Sequence, residues 1–204
     1  MLPEELGYFL AKSWRMHPAV CAPVSRLSYE GKLESQAADR HLDGIEPGLH
    51  PVPVPHAYNS TSSPEEADTV AGLIGSLLGR PWTVDGRTAP LGQSDLIVVA
   101  PYNAQVEVIR QRLAVAGWHD ISVGTVDKFQ GREAAVAIVS LAASSADEVP
   151  RGLEFLLLAN RLNVAISRAQ WAAYLVYSPE LTNALPHNAG TLAQLSAFIE
   201  LVEG

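Results

Sequence analysis

Three stretches of this chain gather the residue types that handle phosphate. Ile121 to Ala135 (ISVGTVDKFQGREAA) runs from a β-type segment into a polar turn carrying Thr125, Asp127, Lys128, Gln130, Gly131, Arg132 and Glu133. In open parallel sheets, ligands bind beyond the carboxyl ends of strands. A threonine hydroxyl and free backbone N–H groups at such an edge suit a phosphate, and a carboxylate suits sugar hydroxyls. On composition alone the same turn is equally well an ordinary loop. Asn160 to Gln170 (NRLNVAISRAQ) reads as a helix with Leu162, Ile166 and Ala169 inward. Arg161 and Arg168, seven apart, then emerge on nearly one side, roughly 10 Å apart along the axis, and together could hold a polyphosphate. Isolated arginines of this kind usually belong to a solvated face. Ser13 to Pro18 (SWRMHP) places Arg15 just before a proline-started helix, and a helix N-terminus beside an arginine favours an anion. His17 reads as a capping or packing histidine, because no second metal-type residue has suitable spacing; no metal site is expected.

What is missing is as informative. No Gly-x-x-x-x-Gly-Lys-Ser/Thr and no strand-borne Gly-x-Gly-x-x-Gly is present, so the chain has no phosphate cradle of its own. No acidic pair follows an apolar strand in the position that would hold Mg²⁺ next to such a cradle. A nucleophile–base pair for a small-molecule α/β enzyme is not evident among the six histidines. The net charge of −8 argues against a passive polyanion binder, although a few well-placed donors could still grip a strand.

The elements that must position these residues read as a parallel α/β sheet. The 204 residues, 48% hydrophobic and 18% charged, suffice for one large domain over 1–204: an irregular arm or helix over 1–50 and an α/β core over 51–204. A helix opens near Pro18, and residues 34–50 look loop-like. The HPVPVPH run at 50–56, if a strand, belongs at a sheet edge because proline cannot donate to a ladder. Ser63-Pro64-Glu65-Glu66 is a capping box that starts a helix with Val70, Ile74 and Leu77 buried. Residues 80–94 read as a polar loop. Strands at 95–100, 121–125, 134–141 and 171–177 alternate with helices at 103–116 and 159–169, and a last helix spans 190–202. One cysteine excludes an internal disulfide. The absence of a leader-like start or a long apolar run suggests a soluble, cytoplasmic protein with no membrane partner.

WRMHP with the downstream SYEGKL, then APYNAQ, VGTVDKFQGREA and NRLNVAISRA, resemble in order and spacing the C-terminal motifs of superfamily 1B helicases of the nonsense-mediated-decay and immunoglobulin-mu-binding type, over about residues 8–180. VPRGLEFLLLANRLNVAISRAQ further resembles bacterial chains in which such a helicase follows a RecB-like nuclease domain, although no nuclease motif is visible. The resemblance implies a RecA-like domain with helices on both faces of a mostly parallel sheet. Its partners would be single-stranded DNA or RNA and the N-terminal RecA-like domain of the same protein. Its cofactor would be ATP with Mg²⁺, bound mainly by that N-terminal domain. Arg15 and Arg168 would be the catalytic arginines that reach the γ-phosphate across the interdomain cleft. Glu133 would face the nucleotide, Arg161 would be a structural or nucleotide-proximal arginine, and Gln130 and Gly131 would link the Glu133 contact to the strand. Thr125, Lys128 and the Pro101-Tyr102-Asn103 turn with Gln105 would touch the strand. The alternative reading is a non-catalytic nucleic-acid-binding or interaction module that has kept the fold. Trp14 stands where the motif usually has tyrosine, and Gln170 where a basic residue is common.

Overall fold

The structure, a computed structural model, describes residues 11–129, 131–186 and 188–203. A short strand β1 (Lys12–Ser13) leads into helix α1 (Pro18–Tyr29), whose first residue is proline and whose N-cap His17 accepts the Ala19 N–H through Nδ1. The region expected to be loop-like contains two short strands, β2 (Glu34–Ser35), which pairs with β1, and β3 (Arg40–Leu42), and the candidate edge strand at 50–56 forms as β4 (Gly48–Pro53). The described part of the segment before residue 51 packs onto the sheet. Val20, Cys21 and Val24 of α1 sit in the same buried cluster as the central sheet. No apolar alternation announces β2 and β3, because both are too short to show one.

Helix α2 (Pro64–Leu77) opens as expected on Ser63, whose hydroxyl accepts the Glu66 N–H at 3.1 Å. Only half of the capping box forms, because the Glu66 carboxylate turns inward to other partners. The polar loop expected over 80–94 is instead a hairpin of β5 (Pro81–Val84) and β6 (Arg87–Pro90), joined antiparallel to β3. Its turn residues Asp85 and Gly86 have φ of 49° and 76°, the left-handed pair that a two-residue hairpin requires. That Asp-Gly step was the missed signal.

From β7 (Leu96–Val99) onward the rhythm matches the sequence reading. Helix α3 (Asn103–Val115), β8 (Ser122–Gly124), β9 (Ala134–Ser140), α4 (Leu153–Leu156), α5 (Ala159–Ile166), β10 (Ala169–Tyr177) and α6 (Ala189–Glu203) follow. The central sheet has the order β4-β10-β9-β7-β8 and every pairing is parallel. β4, the proline-bearing strand, lies at its edge. Successive sheet residues serve opposite faces: Ile97, Val99, Ala137, Val139, Ala173 and Leu175 join α1, α5 and α6 in one core. Leu96, Val98, Val136, Ile138, Ala172 and Val176 join α2 and α3 in the other. The result is a three-layer α/β fold of RecA-like class, with helices on both faces. Among the described residues no helix is long and apolar enough to cross a membrane.

Candidate functional site

The predicted residues fall into two groups, one at each end of the central strands. The first group lies at the amino ends of β9 and β10. Glu133 and Arg168 immediately precede these strands, which are aligned Ala134 to Ala169, and the Ala134 N–H donates to the Arg168 carbonyl at 3.0 Å. An irregularity in β10 between Ala169 and Ala172 frees Gln170 from regular pairing. Its carbonyl accepts the His17 N–H at 2.8 Å and its side-chain amide donates to Glu133 Oε1 at 2.9 Å. Arg15 Nε donates to Glu133 Oε2 at 2.7 Å, and Arg15 Nη1 reaches the Ser167 carbonyl at 3.4 Å. Arg40 Nη1 in turn donates to the Arg15 carbonyl. Arg15, Glu133 and Arg168 line a depression of about 520 Å³ that also contains Trp14, Tyr29 and Ser167. Trp14, 70% exposed, stands at this surface.

The electrostatics here are set by burial and by the pairing of Arg15 with Glu133. Burial raises the Glu133 carboxyl. The hydrogen bonds from Arg15 and Gln170 and the charges of Arg15 and Arg40 outweigh it, so the group lies below the usual carboxylate range. Burial, with Arg15 nearby, pulls Arg168 below the ordinary guanidinium value. Arg168 donates to the carbonyls of Val164 at 2.9 Å, Arg132 at 3.3 Å and Phe129 at 3.4 Å. It therefore closes the C-terminal end of α5, where the helix dipole favours a cation. Gly131, at φ +80°, gives the chain its reversal before Glu133. Gln130 lies outside the described residues.

The second group lies beyond the carboxyl ends of β7, β8 and β9. Pro101, Tyr102 and Asn103 follow β7, and Thr125, Val126 and Asp127 follow β8. Together with Thr61, Leu141, Arg151, Phe155 and Arg161 they line a pocket of about 450 Å³. The Tyr102 ring stacks on Phe155, with centroids 5.7 Å apart and 30° between planes. The Tyr102 hydroxyl is buried with no hydrogen-bond partner among the described residues. Burial raises its pKa, and the charges of Arg151 and Arg161 oppose that rise. One motif therefore serves both ends: Thr125 stands at the carboxyl-end pocket, Glu133 at the amino-end depression, and Phe129 between them is fully buried.

Three assignments need correction. Arg161 and Arg168 do not pair, because α5 ends at Ile166 and the chain turns before Arg168. Arg161 lines the carboxyl-end pocket, 4.0 Å over the Phe155 ring, away from the nucleotide-side group. Gln105 offers nothing to a strand: it is fully buried, accepting the Ser63 N–H at 2.7 Å and donating to Ser140 Oγ at 2.8 Å. Lys128 does not line the carboxyl-end pocket either. Its ammonium donates to the Val123 carbonyl at 2.8 Å, in a separate depression with Arg110, Trp118 and His119. Burial and then Arg110 and Arg132 lower its pKa. A Cβ at Gly124 would displace the Lys128 stem from this position.

Gln105 belongs to a buried polar network that the sequence reading missed. Ser140 Oγ donates to Glu66 Oε2 at 2.6 Å, and the Ala142 N–H donates to the same oxygen at 3.0 Å. His56 Nε2 lies 3.1 Å from Glu66 Oε1, and His56 Nδ1 lies 2.7 Å from Ser144 Oγ. Both His56 and Glu66 side chains are wholly buried. The network ties the loops after β4 and β9 to the starts of α2 and α3, and those loops form walls of the carboxyl-end pocket. Arg151 and Phe155 were also missed, since a lone arginine and a lone aromatic carry no spacing signal. Among the described residues no group of three or more His, Cys, Asp or Glu side chains could hold a metal ion.

Comparison with known proteins places the chain in a family. A family model describing an AAA domain matches residues 3–180. A regulator of nonsense transcripts 1 homolog of Arabidopsis thaliana is 29% identical over 219 residues, covering 96% of this chain and 16% of that protein. The DNA polymerase alpha-associated DNA helicase A of Schizosaccharomyces pombe is 43% identical over 110 residues, covering 54% of this chain and 15% of that protein. An uncharacterized ATP-dependent helicase of Caenorhabditis elegans is 29% identical over 183 residues, covering 82% of this chain and 11% of that protein. The chain thus spans less than a fifth of the length of these curated relatives. With most of its length matched, the chain belongs to the AAA domain family, as a C-terminal RecA-like domain of the superfamily 1 helicases.

Proposed function

We propose that this chain is the second half of an ATP-driven motor. It lends Arg15 and Arg168 to an ATP site built mainly on a neighbouring RecA-like domain, and it grips single-stranded nucleic acid at its opposite end. The observation that carries this reading is the convergence of Arg15, Glu133 and Arg168 on one open depression in a chain with no phosphate cradle. A guanidinium is always charged and donates in a fork, so arginines presented across a cleft stabilise charge on a transferring phosphoryl group, an effect worth about 10³–10⁵ in rate in such enzymes. Mg²⁺ would be held by the neighbouring domain, where it supplies charge neutralisation on the phosphates. The residues here fit only the trans side of such a site. Glu133 holds Arg15 in the depression until a phosphate competes for the guanidinium. Arg168 must leave its carbonyl partners to reach out. The motif running from Thr125 to Glu133 connects cleft closure to the strand pocket, where Thr125, Asn103 and the Pro101-Tyr102 turn meet the strand backbone.

The occupied state of Arg168 favours a second reading, a non-catalytic binding module with a retained fold, because its donors are spent on protein carbonyls. The 204-residue chain alone separates the proposal from an autonomous enzyme: it is expected to bind single-stranded oligonucleotide and to turn over no ATP. Robust stoichiometric hydrolysis by the pure chain, abolished in Arg168→Ala, would contradict the division of labour.

A further inference from the structure

The carboxyl-end pocket holds a pair of cations, Arg161 and Arg151, of which no motif announced the second. Arg161 lies 4.0 Å and Arg151 4.8 Å from the centroid of the Phe155 ring. Such contacts hold a guanidinium through its face and leave the N–H edge unspent. Neither side chain has a hydrogen-bond or ion-pair partner among the described residues. The two guanidinium groups thus share one ring and keep their donors available to an anion. Around them stand further unspent polar groups: the buried Tyr102 hydroxyl, the Thr125 hydroxyl and the Asn103 amide. Val99, Leu141, Leu156 and Ala165 supply apolar wall. Asp127 is the one carboxylate among the lining residues, and beside a phosphate site it suits a sugar hydroxyl.

We infer that Arg151 and Arg161, positioned by Phe155, form a clamp for the phosphodiester backbone of a single strand, so that the pocket takes a phosphate–sugar unit of nucleic acid. The inference rests on the proposed strand-binding role of this end of the sheet and names residues that do the holding. Phe155 is a positioning residue, since it touches the arginines and the Tyr102 ring and fixes the angle at which the forks meet the backbone. Tyr102 closes the stack from the side of α3.

The test is binding of a labelled single-stranded oligothymidylate to the chain across a series of salt concentrations. Arg151→Ala and Arg161→Ala are each expected to weaken binding about tenfold, the scale of a charge-assisted hydrogen bond at a half-exposed site. Each should also lower the slope of log affinity against log salt by about 0.7, one phosphate contact on a single strand. Phe155→Leu, which keeps both charges, should weaken binding, and Phe155→Tyr should restore it. The clamp is overturned, with the strand reading intact, if Thr125→Val and Asn103→Ala weaken binding while both arginine variants keep wild-type affinity and slope. Polyglutamate competing as well as the oligonucleotide overturns the clamp as a nucleic-acid device. Failure of every form, wild type included, to bind the oligonucleotide overturns the strand reading and the clamp with it.

Discussion

At the scale of single residues, the Arg15–Glu133 pair decides how the nucleotide-side group behaves before any ligand arrives. Both partners are partly exposed, so the pair contributes little net stability, at most a fraction of about 1 kcal/mol. Its pH dependence is nevertheless defined. The Glu133 carboxyl is held below its ordinary value, so its contribution is present above the usual carboxylate range and disappears as pH falls through and below about 4. Glu133→Gln should therefore be slightly less stable than wild type in urea melts at neutral pH and match it at pH near 3. A deficit that persists unchanged in acid would mean that Gln170 and packing, not the ion pair, hold Glu133. The same residues show why a correct motif can misplace a side chain. Arg161 and Arg168 are seven apart, which puts them on one face only if the helix continues, and α5 stops at Ile166.

At the scale of elements, the buried network around Glu66 sets the walls of the strand pocket. Gln105→Leu keeps approximate volume but leaves the buried Ser63 N–H without its acceptor, while the Ser140 hydroxyl keeps its bond to Glu66 and loses only the one it accepts. It should cost about 2 kcal/mol in chemical denaturation. A variant that keeps full stability and loses strand affinity would return Gln105 to the strand surface. Elements with a repeating signal were legible in the sequence. Strands β7, β9 and β10 are long or continuously apolar, α2 carries its cap and stripe, and proline marks β4 as an edge. The β3-β5-β6 sheet was not legible as read, because its strands are short and largely exposed and only Asp85-Gly86 marks the turn. The Glu66 network was hidden for a different reason. Its members come from residues 56 to 144, and only the fold brings a histidine, a carboxylate, a glutamine and three serines into one buried cluster.

At the scale of the whole molecule, the sheet places the two groups of candidate residues at opposite ends of its strands. Arg15, Glu133 and Arg168 gather where β9 and β10 begin, the Thr125 and Tyr102 group follows β7 and β8, and Phe129 lies between them, buried in the core; the proposal assigns the first group to the nucleotide and the second to the strand. An element anchored at both sites is where closure over ATP could be felt by a strand. On the proposed reading, the chain supplies one side of an ATP-binding cleft and the neighbouring domain supplies the other. The most direct test is ATP hydrolysis by a protein carrying this domain together with its neighbouring RecA-like domain, with and without single-stranded nucleic acid, comparing wild type with Arg168→Ala. The account predicts strand-stimulated hydrolysis in the wild type that falls by at least about 10³ in the variant while oligonucleotide binding persists. Hydrolysis indifferent to both the strand and the substitution would contradict it, and would leave the domain as a binding module with a retained fold.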